Sequence, residues 1–163
     1  MTTRRITGAP DTKLLECTNP ARDKWRVRWD FQKGDDGTTS FMEAQFQGQP
    51  SQDDIKALVT DWYNEQVNTA ILSAFSWQDM PVWLSTENQF NYKAAYDLAV
   101  QSEGNTLPVT FKFGTDEEPV YHTFSSLDEL SDFYTAAMKH IQDSLANGWK
   151  AKDAFDVSLY VAD

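Results

Sequence analysis

The sequence has few of the residues that cross-link small proteins or build common active sites. It contains a single cysteine, Cys17, and only two histidines. A lone cysteine excludes an internal disulfide, and so small a set of ligands leaves little for a structural zinc site. We therefore expect no metal and no cofactor, so that the hydrophobic core alone must stabilise the fold.

Basic residues and long apolar runs are also scarce. Fourteen lysines and arginines against 25 acidic residues give a formal charge of −11. Such a field repels nucleic-acid phosphates and anionic membrane surfaces. No segment approaches the roughly 18 apolar residues of a membrane span, and the opening residues lack the apolar core of a signal peptide. We expect neither nucleic acid nor membrane as a partner, and no secretion by a signal peptide.

Aromatic residues, by contrast, are abundant. The 163 residues include six tryptophans, six tyrosines and ten phenylalanines, and 40% of the chain is hydrophobic. This apolar surface is sufficient to offset the entropy lost on ordering the chain. Domains commonly have about 100 to 150 residues, so the length predicts one folded domain or two very small ones.

Two alternating segments near the N-terminus predict an antiparallel hairpin with a turn at residues 34–37. Their apolar positions are Trp25, Val27, Trp29, Phe31, Met42, Ala44 and Phe46. Arg26 and Arg28 fall on the other face of the first strand, where they predict a basic stripe that faces solvent or an acidic partner surface. Residues 1–13 show no periodicity and predict a loose arm, followed by at most one short strand at 14–17.

Three segments have the three- and four-residue spacings of amphipathic helices. The first follows Ser51 and runs for roughly two dozen residues, and the others begin at capping boxes that start with Thr86 and Ser126. The third is expected to end at Asn147–Gly148, with a further short helix over 150–156. An extended segment at 82–84 and a second hairpin at 107–124 lie between the helices.

This order predicts an α+β fold of antiparallel β-hairpins packed against amphipathic helices. No Pro/Gly/Ser-rich linker interrupts the chain. The segment from Gln78 to Pro81 is the least packed junction. We therefore divide the chain there into an N-terminal hairpin and helix module, 1–78, and an α+β module, 79–163, which we expect to pack together.

The candidates for catalysis have simpler structural interpretations. His122 lies between apolar residues of a predicted strand, and His140 is expected to point to solvent on a helix. No nucleophile, metal-ligand spacing, phosphate loop or hydrolase elbow accompanies them. The acidic pairs at 53–54 and 117–118 fit a helix start and a turn better than the carboxylates of a glycosidase. We expect no enzyme; a hydrolase would require a cleft in which a histidine meets a carboxylate.

The aromatic residues divide into two groups by periodicity. Those that fit a stripe predict core positions: Trp62, Tyr63, Phe90, Phe111, Phe113, Phe133 and Tyr134. The less periodic aromatics, together with two arginines, are candidate interface residues because aromatic and arginine side chains often anchor protein contacts. This candidate set is Arg26, Arg28, Phe41, Trp77, Trp83, Tyr92, Tyr96 and Trp149.

The segment from Phe75 to Phe155 contains a series of anchors in a recognisable order. They are Phe75-Ser76-Trp77, Val82-Trp83-Leu84, Asn91, Ala94-Ala95, Leu107-Pro108-Val109, Gly148-Trp149 and Ala154-Phe155. Their order resembles a small domain of unassigned activity found in bacteriophage tail and tail-fibre-assembly proteins and in prophage genes. The resemblance supplies no catalytic residue.

The resemblance implies a setting for the protein. It suggests a non-enzymatic tail or tail-fibre-associated protein, located in the virion or in the host cytoplasm during assembly. Its partners would be other tail proteins or copies of itself. The alternative is a module that binds a small ligand or a glycan through exposed tryptophans.

Overall fold

The computed structural model describes residues 2–162, which form two units. Residues 2–62 and 153–162 belong to the first unit, and residues 63–152 form the second. The division expected at Gln78–Pro81 falls inside the second unit. The strands on either side of that segment pair with each other, and Gln78 and Asp79 have φ values of 48° and 64°, so the segment is a tight hairpin turn and not a linker.

The first unit contains a four-stranded antiparallel sheet in the order β1-β4-β3-β2. Its strands are β1 (Thr3–Gly8), β2 (Leu15–Asn19), β3 (Lys24–Lys33) and β4 (Thr39–Gln47). The β3–β4 hairpin confirms the prediction from alternation. The prediction of a loose arm over residues 1–13 is wrong, because β1 pairs with β4 along its whole length. This edge strand is held by backbone hydrogen bonds to β4. Two adjacent exposed residues, Arg4 and Arg5, interrupt the apolar alternation from which a strand can be predicted.

A bulge in β3 changes the face on which its last aromatic residue lies. The register with β4 shifts between Trp29 and Gln32, and Asp30 has a φ of 52°. Phe31 stacks on Phe41 with ring centroids 4.7 Å apart, whereas Trp29 pairs with Met42 on the opposite face. The prediction that Phe31 shares a face with Trp25, Val27 and Trp29 is therefore wrong. The bulge moves Phe31 to the opposite face, where Phe41 is its apolar partner.

Helix α1 (Gln52–Ser73) begins where the sequence predicts. The Ser51 hydroxyl accepts a hydrogen bond from the Asp54 amide at 3.1 Å, and the Asp54 carboxylate accepts from the Ser51 amide at 2.9 Å. Hydrogen bonds from Ser51 hold the pKa of Asp54 below its usual range. Within the first unit, Ile55 and Val59 are buried, and Trp62 meets Trp29 edge to face.

The C-terminal residues complete the first unit. The buried Tyr160 donates its hydroxyl hydrogen to the Arg28 carbonyl at 2.7 Å, and its ring contacts Phe155. The Arg28 amide donates to the Leu14 carbonyl, so the Arg28 carbonyl also points to the β2 side of β3. The Tyr160 hydroxyl therefore bonds to the edge of β3 just beyond the first residue of β2.

The second unit packs two hairpins on two helices. Its elements after α1 are β5 (Phe75–Trp77), β6 (Met80–Val82), α2 (Thr86–Gln101), β7 (Val109–Gly114), β8 (Pro119–Phe124) and α3 (Leu127–Ala154), whose last two residues belong to the first unit. The α+β class is thus confirmed. The cap of α2 is Ser85 and not Thr86, since the Ser85 hydroxyl accepts from the Asn88 amide. Within residues 2–162, no helix is both long and apolar enough to cross a membrane.

Helix α3 runs through the predicted stop at Gly148. The expected break and the separate final helix are therefore wrong. Gly148 is buried, and a Cβ atom built on it would lie 2.1 Å from Cγ2 of Val67 on α1. The glycine is needed for a close approach of two helices and not for a left-handed helix cap.

We expect Gly148→Ala to destabilise the second unit by about 1 to 3 kcal/mol, through overpacking against Val67. Helix propensity alone would give the opposite sign, a gain of about 1 kcal/mol. Val67 is β-branched and has one preferred rotamer in a helix, so its side chain cannot easily rotate away from the added methyl group. Urea unfolding measures the change, and the double variant Gly148→Ala/Val67→Ala should recover most of it. Unchanged or increased stability of the single variant would contradict the packing.

Candidate interaction surface

The structure separates the candidate interface residues by exposure. Arg28, Phe41 and Tyr92 are buried in their own units, and Arg26, Trp77 and Tyr96 are partly buried. Trp83 and Trp149 are the exposed members, at 52% and 57%. A partner can therefore reach the two exposed tryptophans directly, whereas the buried side chains contact their own unit.

The arginines of β3 do not form a solvated basic stripe. Arg28 is 4% exposed and donates to the Glu43 carboxylate at 3.0 Å and to the Glu16 carboxylate at 2.7 Å. Its third contact is to the Lys13 carbonyl at 2.8 Å. The acidic surface expected on another protein is thus supplied by the sheet itself. Alternation predicted the face correctly but could not show that this face is covered.

Glu43 on β4 is the centre of this charge network. It is 1% exposed, accepts from Arg4 at 3.2 Å, and lies 3.5 Å from the Arg26 guanidinium. A buried ion pair contributes little over an apolar pair, but removing one partner leaves an uncompensated charge. The network therefore makes the sheet intolerant of single charge deletions.

We expect Glu43→Ala to lower the free energy of unfolding of the first unit by about 3 to 5 kcal/mol, because the buried Arg28 then loses the buried one of its two carboxylate partners and keeps only the half-exposed Glu16. Denaturant unfolding measures the loss. The matched control is Asp143→Ala, which breaks an exposed pair with Lys139 and should change stability by less than about 0.5 kcal/mol. Equal losses for the two variants would show that burial does not set the strength of the network.

The apolar face of α2 is rotated from the predicted one. Phe90, expected in the core, is 70% exposed and Leu98 is 55% exposed, whereas Tyr92 is 3% exposed. Tyr96 stacks on Tyr134 with ring centroids 4.7 Å apart. Residues two apart on a helix point to nearly opposite sides, so Phe90 and Tyr92 cannot both face the core. The prediction for Phe90 is wrong because α2 carries apolar residues on both of its sides.

Burial raises the pKa of Tyr92 to about 12, from an ordinary value of 10.0. The ionised phenolate is disfavoured in the folded state. The protonated Tyr92 therefore makes its full contribution to the free energy of unfolding below pH 10, and this contribution is lost as the pH rises toward 12. We expect stability to fall by roughly 2 kcal/mol over this window from Tyr92 alone. Chemical unfolding at each pH should show a smaller fall in Tyr92→Phe, and an unchanged fall would contradict the burial.

Both histidines are engaged in packing. His122 on β8 lies 2.9 Å from the Glu129 carboxylate on α3, and its ring meets Phe124 edge to face with centroids 4.6 Å apart. His140, expected to face solvent, donates to the Ala70 carbonyl at 2.8 Å and packs on Phe75, so that expectation is wrong. A histidine does meet a carboxylate, but the pair joins β8 to the first turn of α3. Among residues 2–162, no group of three or more side chains fits a metal ion.

A groove of about 550 Å³ lies in the second unit beside Trp83. Its wall and rim include Pro81, Trp83, Asn88, Lys112, Thr115 and Asp116. The Asn88 side-chain amide donates to the Trp83 carbonyl at 2.8 Å, and Gln89 does the same for Leu84 at 2.7 Å. Side chains from the start of α2 therefore hold the backbone that carries the exposed indole.

The opposite rim of the groove is the turn between β7 and β8. Gly114 has a φ of 81°, and a Cβ there would lie 2.3 Å from the Glu118 carbonyl, so only glycine closes this turn. The Glu118 amide donates to the Thr115 hydroxyl at 3.0 Å. Lys112 and Asp116 form an exposed ion pair at 3.4 Å across the turn. No local sequence pattern predicts this groove, because its rims come from separate parts of the chain.

Comparison with known families identifies the class of this α+β protein. A family model described as a domain of unknown function (DUF4376) matches residues 50–163, which is more than two thirds of the chain. The protein belongs to this family. No curated protein and no solved structure matches the chain. The matched region starts immediately before α1, so the strands β1 to β4 lie outside it.

Proposed function

We propose that this protein is a non-enzymatic part or assembly factor of a bacteriophage tail or tail fibre and acts through protein–protein contacts. The phage setting is supported by the resemblance of the anchors between Phe75 and Phe155. The contact function is supported by one observation above others: α2 presents a second apolar face, with Phe90 and Leu98 more than half exposed. Its partners are other tail proteins or further copies of this chain.

The outer face of α2 has the composition of an interface centre. Phe90, Ala94 and Leu98 are spaced by four residues and therefore lie along one side of the helix. Lys93 and Asp97 form an ion pair on the same helix and provide a polar rim. Apolar centres with polar rims are typical of protein interfaces, in which aromatic residues often contribute most of the binding energy. This surface favours a protein partner.

The state of the two histidines supports a role without catalysis. The His122 ring packs on Phe124 and bonds to the Glu129 carboxylate, and His140 is bonded to a backbone carbonyl. Each imidazole thus has a packing role that accounts for its position. A contact protein is the simpler interpretation of the same side chains.

The test uses the tagged full chain in infected cells. We expect it in purified particles or cross-linked to a tail protein, and we expect Phe90→Asp to reduce that cross-linking at least about tenfold, as loss of an anchor residue does. Leu159→Asp, an equally conspicuous exposed position of the first unit, is the matched control and should leave it unchanged. Absence from particles together with no contact to any tail protein would overturn the proposal.

The groove beside Trp83 supports a second candidate function. Its concave shape and half-exposed indole are features of a small-ligand or glycan-binding module. This function is compatible with the first, because the groove and the outer face of α2 use different residues.

A further inference from the structure

We propose that the groove beside Trp83 binds a neutral saccharide. The inference rests on the second candidate function and specifies its site and its ligand class. All the residues that form the groove belong to the second unit.

The size of the groove suits an oligosaccharide. Its volume of about 550 Å³ falls within the roughly 300 to 1,000 Å³ of typical small-molecule sites. A single ion would contact only a small part of this groove. A ligand with several rings, such as a di- or trisaccharide, fills it.

The chemistry of the groove matches the two kinds of surface on a sugar ring. A pyranose has apolar C–H faces and hydroxyl groups around its edge. Pro81 and the exposed part of the Trp83 indole offer apolar surface for a face, and aromatic rings supply large contact area at little conformational cost. Lys112, Thr115 and Asp116 line the same groove and offer donors and acceptors for hydroxyl groups.

The charges around the groove favour a ligand without net charge. The lysine and aspartate of the rim are 3.4 Å apart and cancel each other. The formal charge of −11 repels anionic ligands such as nucleotides or acidic sugars. A neutral ligand pays no such penalty and can use both members of the ion pair as hydrogen-bonding groups.

The groove is also preorganised. The Asn88 amide fixes the Trp83 backbone, and the bond between Thr115 and Glu118 fixes the opposite turn. Preorganised groups lose less entropy on binding, which matters for hydroxyl-rich ligands whose hydrogen bonds replace those to water.

The test is isothermal titration of the full chain with neutral oligosaccharides of glucose, galactose, mannose and N-acetylglucosamine, alongside sialylated and phosphorylated sugars. We expect at least one neutral sugar to bind and to raise the melting temperature by mass action. Trp83→Ala should weaken binding at least about tenfold, and Trp83→Phe, which keeps an aromatic face, should weaken it less. Trp149→Ala is the matched control, because this tryptophan is equally exposed and lies outside the groove.

Three results would overturn the inference. They are no binding of any neutral sugar, equal weakening by Trp83→Ala and Trp149→Ala, and preferential binding of the anionic sugars. Loss of tail-protein cross-linking in Trp83→Ala without sugar binding would assign the groove to a protein partner instead. Sugar binding is measured on the purified chain and cross-linking of the Phe90 variant in infected cells, so failure of this inference is distinguishable from failure of the contact function.

Discussion

The ring of Phe133 on α3 is the contact on which the second unit depends. It meets the aromatic rings of four other elements, at centroid distances from 5.1 to 6.2 Å. These rings are Phe75 and Trp77 of β5, Tyr92 of α2, Phe111 and Phe113 of β7, and Phe124 of β8. Two-stranded hairpins are marginal in water by themselves. Both hairpins of this unit are therefore stabilised by a helix that supplies the core they lack, and that core in turn holds the two rims of the groove.

Local signals in the sequence predicted the elements well. Period-two alternation located both long hairpins, and the Ser51 and Ser126 caps marked the starts of α1 and α3. These signals need only a few neighbouring residues, which is why the α+β class could be predicted. The resemblance predicted a domain of unassigned activity, and the family match is consistent with that coarser statement over a longer range.

Signals that depend on distant residues could not be read in this way. Arg28 looked exposed because alternation assigns a face but not what covers it. Gly148 looked like a helix stop because its real neighbour, Val67, is far away in sequence. The prediction placed Phe90 in the core in place of Tyr92 because α2 is apolar on two sides, and Tyr92 faces inward where it packs on Phe111, Phe113 and Phe133. The candidate surface was therefore half predicted: Trp83 was found from sequence, but Phe90, Leu98 and the groove were not.

The bond from Tyr160 to Arg28 joins residues 132 positions apart and has a consequence for synthesis on the ribosome. Domains usually fold in the order in which they emerge, N-terminal first. Here residues 63–152 form a contiguous unit, whereas the unit that begins earlier also includes residues 153–162. All residues of the second unit are thus synthesised before Tyr160, which the sheet of the first unit needs for its bond to the Arg28 carbonyl. Until residue 160 has emerged, the Arg28 carbonyl on the β2 side of β3 lacks the hydroxyl partner that it has in the folded protein.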